Sequence, residues 1–171
     1  YRRQRQMCIR DRVWAVDVGR DQLDESLRRD PRVVSMEQTD IRTADLPQVD
    51  FIGTDVSFIS LKLILPHIYR LLKSGGRAAV LIKPQFEAGR DKVGKGGIVR
   101  EKDIHEEVIL DTLTAFEEEG FHCWDLTFSP IKGGSGNIEF LAYLKWKKPQ
   151  EAISEERIRQ VVEEAHETLK K

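Results

Sequence analysis

At 171 residues and 19.7 kDa the chain is long enough for one domain with a real core and short for two. Its 40% apolar and 33% charged residues are an ordinary globular balance, and a net charge of −1 excludes the whole-domain basic field of a stand-alone nucleic-acid binder. No apolar run approaches the roughly 20 residues that span a bilayer, and the amino terminus is too basic and polar for a signal peptide, so the expectation is a cytoplasmic protein outside the membrane.

Residues Tyr1 to Arg12 carry five arginines and no apolar period. They read either as a basic RNA-binding arm or as sequence foreign to the domain. The run Met7-Cys8-Ile9-Arg10-Asp11-Arg12 resembles a translated sequencing-adapter peptide and favours the second. From Val13 onward, apolar β-branched runs alternate with amphipathic stretches, which predicts an α/β fold with a mainly parallel sheet. Strands are predicted at Val13 to Val18, Val33 to Met36, Val49 to Thr54, Ala78 to Ile82, His122 to Phe128 and Ile138 to Trp146. Helices are predicted at Gln22 to Arg29, Ser60 to Leu72, Asp103 to Glu119 and Ser154 to Leu169. Asp103 fits an N-cap with Glu106 three residues on, and Gly120 fits the stop. Lys73-Ser74-Gly75-Gly76 is a turn by composition. The predicted domain covers residues 13 to 148. Residues 149 to 171 follow as a helix whose stripe of Ile158, Val161, Val162, Ala165 and Leu169 packs on the sheet or a neighbouring helix.

The first predicted strand ends at an acidic residue, Asp17, with no glycine-rich loop ahead of it. In nucleotide-binding α/β sheets the acidic residue that takes the ribose hydroxyls follows a glycine-rich strand–turn–helix by about 20 residues. The expectation is therefore a sheet that begins at its second strand, lacking the first strand and its loop and so leaving two strand edges unpaired.

Ligands of such sheets bind beyond the carboxyl ends of the strands. Asp17, Asp55 and Lys83 fall at or just past such ends, and Asp40 follows Val33 to Met36 after a short turn. The last strand comes after the glycine-rich loop Lys132-Gly133-Gly134-Ser135-Gly136, which suits an antiparallel hairpin. An antiparallel strand starts where its parallel neighbours end, so Glu139 is expected to meet Asp55 and Lys83 at one edge. A lysine partly withdrawn from water can accept a proton, while a nearby carboxylate fixes the ammonium. Singly, each of the three has an ordinary structural reading as an ion pair or a solvated turn residue. Together they point to an enzyme. Arg90, Lys92, Lys95 and Arg100 lie among four glycines between Glu87 and Arg100, the composition of a mobile basic loop able to clamp RNA phosphates or simply to stand in solvent. Lys145, Lys147 and Lys148 read as a solvated strand end, and Trp14, Trp124 and Trp146 as core. Cys8 and Cys123, without CxxC spacing, and four scattered histidines support no disulfide framework and no metal site.

Five blocks carry a family resemblance: Ala15-Val16-Asp17-Val18-Gly19, Asp55-Val56-Ser57-Phe58-Ile59-Ser60-Leu61, Lys83-Pro84-Gln85-Phe86-Glu87, Val93-Gly94-Lys95-Gly96-Gly97 and Gly136-Asn137-Ile138-Glu139-Phe140. They resemble, in the same order over about Val13 to Lys145, the hemolysin A-like TlyA ribosomal RNA methyltransferases of the FtsJ-like superfamily. The resemblance implies a Rossmann-like methyltransferase sheet with an antiparallel last strand, S-adenosylmethionine as methyl donor, and 2′-O-methylation of ribose in ribosomal RNA. The family's Lys-Asp-Lys-Glu set matches Asp55, Lys83 and Glu139, with Lys83 as the base. Its first lysine would lie upstream, as would an S4-like RNA-binding domain expected to supply much of the affinity for ribosomal RNA or the ribosomal subunit. The resemblance also implies that Asp17 holds the cofactor ribose and that Asp40 and Ile41 lie near its adenine, with Asp55 bordering the same site. Two other readings stay open: a methyltransferase acting on protein or small molecules, and a non-catalytic hemolysin-like membrane-active protein.

Overall fold

The computed structural model describes residues 12–148 and 150–170. Contacts divide the chain into two compact units, one ending at Leu46 and the other beginning at Pro47. The reading of Tyr1 to Arg12 lies outside the described residues except for Arg12, whose guanidinium stands 6.0 Å from the Trp14 ring centroid.

In the first unit, β1 (Val13–Val16) and β2 (Val33–Met36) pair in parallel, joined through a single helical turn, α1 (Glu25–Arg28). The helix predicted from Gln22 is shorter because Asp24 caps it, its carboxylate accepting the Ser26 amide at 2.8 Å, and because Asp21 sits at φ +54°. The predicted first strand also stops early. Asp17 still donates its amide to the Met36 carbonyl at 3.1 Å, but its Oδ1 accepts the Gly19 amide at 2.6 Å and turns the chain, and Val18 is exposed.

The second unit holds β3 (Val49–Thr54), α2 (Leu61–Leu71), β4 (Leu72–Ile82), the short α3 (Pro84–Glu87), a 3₁₀ turn (Arg90–Lys92), α4 (Lys102–Glu118), β5 (Phe121–Phe128), β6 (Phe140–Trp146) and α5 (Glu155–Thr168). Its sheet has the order β3-β4-β6-β5. Strands β3 and β4 are parallel, and β6 runs against both β4 and β5. The described strands thus form two sheets, one of two strands and one of four, with β3 at an edge of the larger.

Alternation sets the core. Phe140, Ala142, Leu144 and Trp146 of β6 are buried, as are Ala78, Val80 and Ile82 of β4, so every second residue contributes apolar area. Helix α4 packs on β5, and α5 lays Ile158, Val161, Val162 and Ala165 against α4 and β5. Asp103 is not the cap of α4. The cap is Glu101, in extended conformation, while Asp103 lies within the first turn. Gly120 ends the helix at φ +83°, its amide donating to the Glu117 carbonyl at 2.9 Å.

Two tryptophan expectations need correction. Trp146 is buried, whereas Trp124 is 38% exposed, because Phe121 and Cys123 take the core face of β5 and Trp124 falls with His122 on the other face, just before the register shift at Asp125. Trp14 is half-buried. Cys123, beside that shift, is buried, and burial pushes its thiol up to about 12. No helix among the described residues is long and apolar enough to cross a membrane.

His105 of α4 is fully buried against Phe140, and its Nδ1 lies 2.9 Å from Nε2 of His166 on α5. Burial, then the neighbouring His166, lowers the His105 imidazole from 6.5 to about 4. The unfolded chain therefore takes up a proton near pH 6.5 that the folded chain refuses until about pH 4. Stability is full above that window and falls as pH drops through it, by on the order of 3 kcal/mol. Urea unfolding followed above pH 6.5 and near pH 4 should show this loss, and His105→Leu should remove most of the slope.

Candidate active site

Strands β3 and β4 are parallel and in register from Phe51/Arg77 to Thr54/Val80, so both finish at one edge of the sheet. Asp55 follows the last residue of β3 and Lys83 the last residue of β4. Strand β6 enters at that edge, Phe140 pairing with Ile82, which sets Glu139 opposite Lys83. Lys83 Nζ lies 2.6 Å from Asp55 Oδ1 and donates to Ser57 Oγ at 3.0 Å. The pair is asymmetric. The Lys83 side chain is only 12% exposed, while that of Asp55 is 70% exposed. A nearly buried ammonium has little water to solvate it, so Asp55 and Ser57 supply its partners.

Glu139 is 7% exposed, and its Oε1 accepts Gln85 Nε2 at 3.1 Å. Its backbone carbonyl accepts the Ser129 amide at 2.8 Å. The glycine loop before it is compact, Gly133 donating to the Asn137 carbonyl at 2.9 Å and Gly136 to the Gly133 carbonyl at 2.7 Å. A Cβ at Gly133 would stand 2.9 Å from Glu139 Cδ, so glycine is what lets the carboxylate lie there.

Several contributors are absent from the sequence reading. Glu87 reaches from the end of α3 to the start of α2, accepting Ser60 Oγ at 2.7 Å and the Leu61 amide at 2.8 Å. Burial raises its carboxyl above the ordinary range, and those two donors offset only part of the rise. It joins the segment after Lys83 to the segment after Asp55. Buried Asn137 accepts the Val99 amide at 3.0 Å and donates to the Gly97 carbonyl at 2.9 Å, tying the basic loop to the entry of β6. Ser57, Gln85, Glu87 and Asn137 all stand inside the quoted sequence blocks, but hydrogen-bond partners remote in sequence leave no local pattern. Phe58, at φ +63°, is 91% exposed and tilts against Phe86 with centroids 5.0 Å apart.

The basic loop is more ordered than its composition predicts. A 3₁₀ turn, a Gly94–Ile98 bridge and buried Val99 shape it. Lys92 is ion-paired with Glu107 of α4, whereas Arg90, Lys95 and Arg100 stand exposed. In the first unit, the Asp17 carbonyl accepts the Thr39 amide at 2.9 Å, bringing the turn after β2 back to the end of β1. Asp17 Oδ1 is taken by Gly19 and the residue is exposed. Asp40 holds Arg42 through both carboxylate oxygens, and Ile41 beside it is half-buried. Among the described residues no group of three His, Cys, Asp or Glu could hold a metal ion.

A sequence model of the family described as FtsJ-like methyltransferase matches residues 2–146. The chain is 49% identical over 167 residues to "Putative rRNA methyltransferase YqxC" of Bacillus subtilis, covering 92% of this chain and 59% of that protein. It is 39% identical over 137 residues to "16S/23S rRNA (cytidine-2'-O)-methyltransferase TlyA" of Mycobacterium tuberculosis, covering 78% of this chain and 51% of that one. The solved structure "Putative hemolysin from Streptococcus thermophilus" superimposes with a TM-score of 0.88 at 46% identity, over 94% of this chain and 60% of that one. The chain thus spans between about half and three fifths of the length of these relatives.

Glu87→Ala removes a half-buried acceptor from two donors. It should lower the free energy of unfolding by about 2 kcal/mol in urea titration at neutral pH, with Glu87→Gln losing less because an amide oxygen still accepts one of them.

Proposed function

This chain belongs to the FtsJ-like methyltransferase family, and from that premise we propose that it carries the chemistry of S-adenosylmethionine-dependent 2′-O-methylation of ribose in ribosomal RNA. The observation that carries the reading is the nearly buried Lys83 amine, 2.6 Å from Asp55 and opposite Glu139, at the edge where β3 and β4 end. Relatives named as ribosomal RNA methyltransferases point to the substrate class.

Asp17 fits a ribose diol: one carboxylate oxygen is fixed by Gly19, which orients the side chain, and the other has no partner among the described residues. Asp40 fits by position, in the turn that returns to Asp17, its carboxylate being committed to Arg42, with Ile41 offering an apolar surface for a base. Held there, S-adenosylmethionine would supply an electrophilic methyl group, with the sulfonium sulfur as the leaving group that keeps the carbon–sulfur electron pair.

The chain's own residues handle the proton. Lys83 Nζ, having first released its ammonium proton to solvent, accepts the proton from the ribose 2′-hydroxyl as the oxygen–carbon bond forms. Asp55 and Ser57 hold that nitrogen in place and receive the resulting ammonium. Glu139, oriented by Gln85 and seated on Gly133, adds a second negative charge that stabilises the ammonium. Arg90, Lys95 and Arg100, exposed on the basic loop, would contact phosphates in this reading, and Lys92 would have to leave Glu107 to join them. A ribosomal RNA substrate places the reaction in the cytoplasm.

The test begins with calorimetric titration of S-adenosylmethionine into this chain and into a protein of the relatives' full length built around it. In whichever binds, tritiated methyl transfer to ribosomal RNA and to total protein is compared for the native sequence and Lys83→Ala. We expect label in RNA ribose, a loss of about 10²- to 10⁴-fold with Lys83→Ala, and unchanged cofactor affinity. Label in protein would replace the substrate class, and undiminished transfer by Lys83→Ala would remove Lys83 as the base.

A further inference from the structure

A cleft at the far end of β4 from Lys83 takes no part in the chemistry above. The β3–β4 ladder pairs Val49 with Leu72 and next Phe51 with Arg77, so Asp50 alone faces the four residues from Lys73 to Gly76. The excess chain loops out. Gly75 takes φ +74°, and a Cβ at Gly76 would stand 2.8 Å from the Lys73 carbonyl oxygen, so the tight loop needs glycine at both. It walls a concavity of about 300 Å³, lined by Lys73, Arg77, Lys145 and Lys148 against the single carboxylate of Asp50.

Among the described residues only Lys73 of these cations has an ion-pair partner, Asp50 at 2.9 Å. Lys145 Nζ instead lies 3.3 Å from the centroid of the Trp124 ring, and the Trp124 indole donates to the Lys148 carbonyl at 3.3 Å. Trp124, on the outer face of β5 with His122, whose partner across the ladder is Lys145, therefore brings an exposed aromatic to the rim of the same cleft. Three cations gathered at one concavity without carboxylate partners repel one another, and an anion in the concavity relieves that repulsion. A solvated strand end accounts for lysines at this position, but not for a looped-out glycine turn that makes a cavity beneath them.

We propose that this cleft binds phosphate groups of an RNA strand, as a second contact remote from the methylated ribose. The six residue steps from Arg77 to Lys83, at about 3.3 Å each, put the two sites roughly 20 Å apart, a span that a folded RNA crosses easily. The choice of RNA rests on the methyltransferase reading, whereas the affinity for phosphate does not.

Two probes separate the sources of phosphate. Inorganic pyrophosphate is titrated into this chain while tryptophan emission is followed, since an anion that draws Lys145 off the Trp124 ring changes its fluorescence. A labelled ribosomal RNA oligonucleotide is then titrated by anisotropy across a range of salt. We expect millimolar pyrophosphate to change the emission of the native chain but not of Trp124→Phe. Arg77→Glu with Lys148→Glu should weaken RNA binding at least tenfold and reduce the salt slope by about 1.4. Both side chains are exposed, so an unchanged thermal melt is the control for folding. No emission change together with unaltered RNA affinity would overturn the site. An emission change with unaltered RNA affinity would overturn RNA as the occupant and leave a free phosphate compound. Neither signal depends on methyl transfer, so loss of that activity would leave both in place.

Discussion

Strand β6 is hydrogen-bonded along both edges, to β4 and to β5, and runs against each. Because β3 and β4 run together, their carboxyl ends deliver Asp55 and Lys83 to one edge. The reversed strand begins where they end and adds Glu139 from the opposite chain direction. A parallel strand in the same slot would have carried its first residues to the far edge. The reversal is held by four buried apolar side chains of β6, the larger ones each at roughly 1.5–3 kcal/mol of hydrophobic stabilisation, so the placement of Glu139 at the edge of Asp55 and Lys83 depends on apolar packing rather than on attraction among charges. Exposed ion pairs contribute about 0–1 kcal/mol and could not set a strand's direction.

The polar links around this edge are long-range in sequence and short in space. Glu87 to Ser60, Gln85 to Glu139 and Asn137 to Gly97 each join two of the motif segments. They convert three loops, each free to move if alone, into one mutually braced assembly. Loops of this kind are otherwise the most mobile parts of a fold. The glycine at position 133 fits the same pattern, since the space it leaves is occupied by the carboxylate it supports.

Much of this was legible in the chain itself. The alternation of β-branched runs and amphipathic stretches located the strands of both sheets, because periodicity follows burial directly. Helix limits were less legible. The turn at Glu25–Arg28 was read too long because Asp24 competes for the same amides, and α4 begins ahead of Asp103 because Glu101 takes the extended conformation before it. Asp55, Lys83 and Glu139 were found because each sits where an apolar run stops. Ser57, Gln85 and Glu87 were not assigned roles, since a hydrogen bond between residues 26, 27 or 54 positions apart leaves no periodic trace. The exposure of Trp124 follows from alternation, since Phe121 and Cys123 face the core and Trp124 falls between them and the register shift on the outer face; it was read as core from its residue type rather than from its place in the strand.

That register shift has a consequence for the sulfur beside it. Cys123 lies within the β5–β6 ladder, and its thiol, pushed up to about 12, donates to the Asp125 carbonyl at 3.3 Å, so in the folded chain it is both shielded and almost wholly protonated. An alkylating reagent can reach it as a thiolate only after β5 has parted from β6. The rate at which this sulfur is labelled therefore times the opening of the same strand pair that fixes the position of Glu139, a built-in clock for the integrity of the edge.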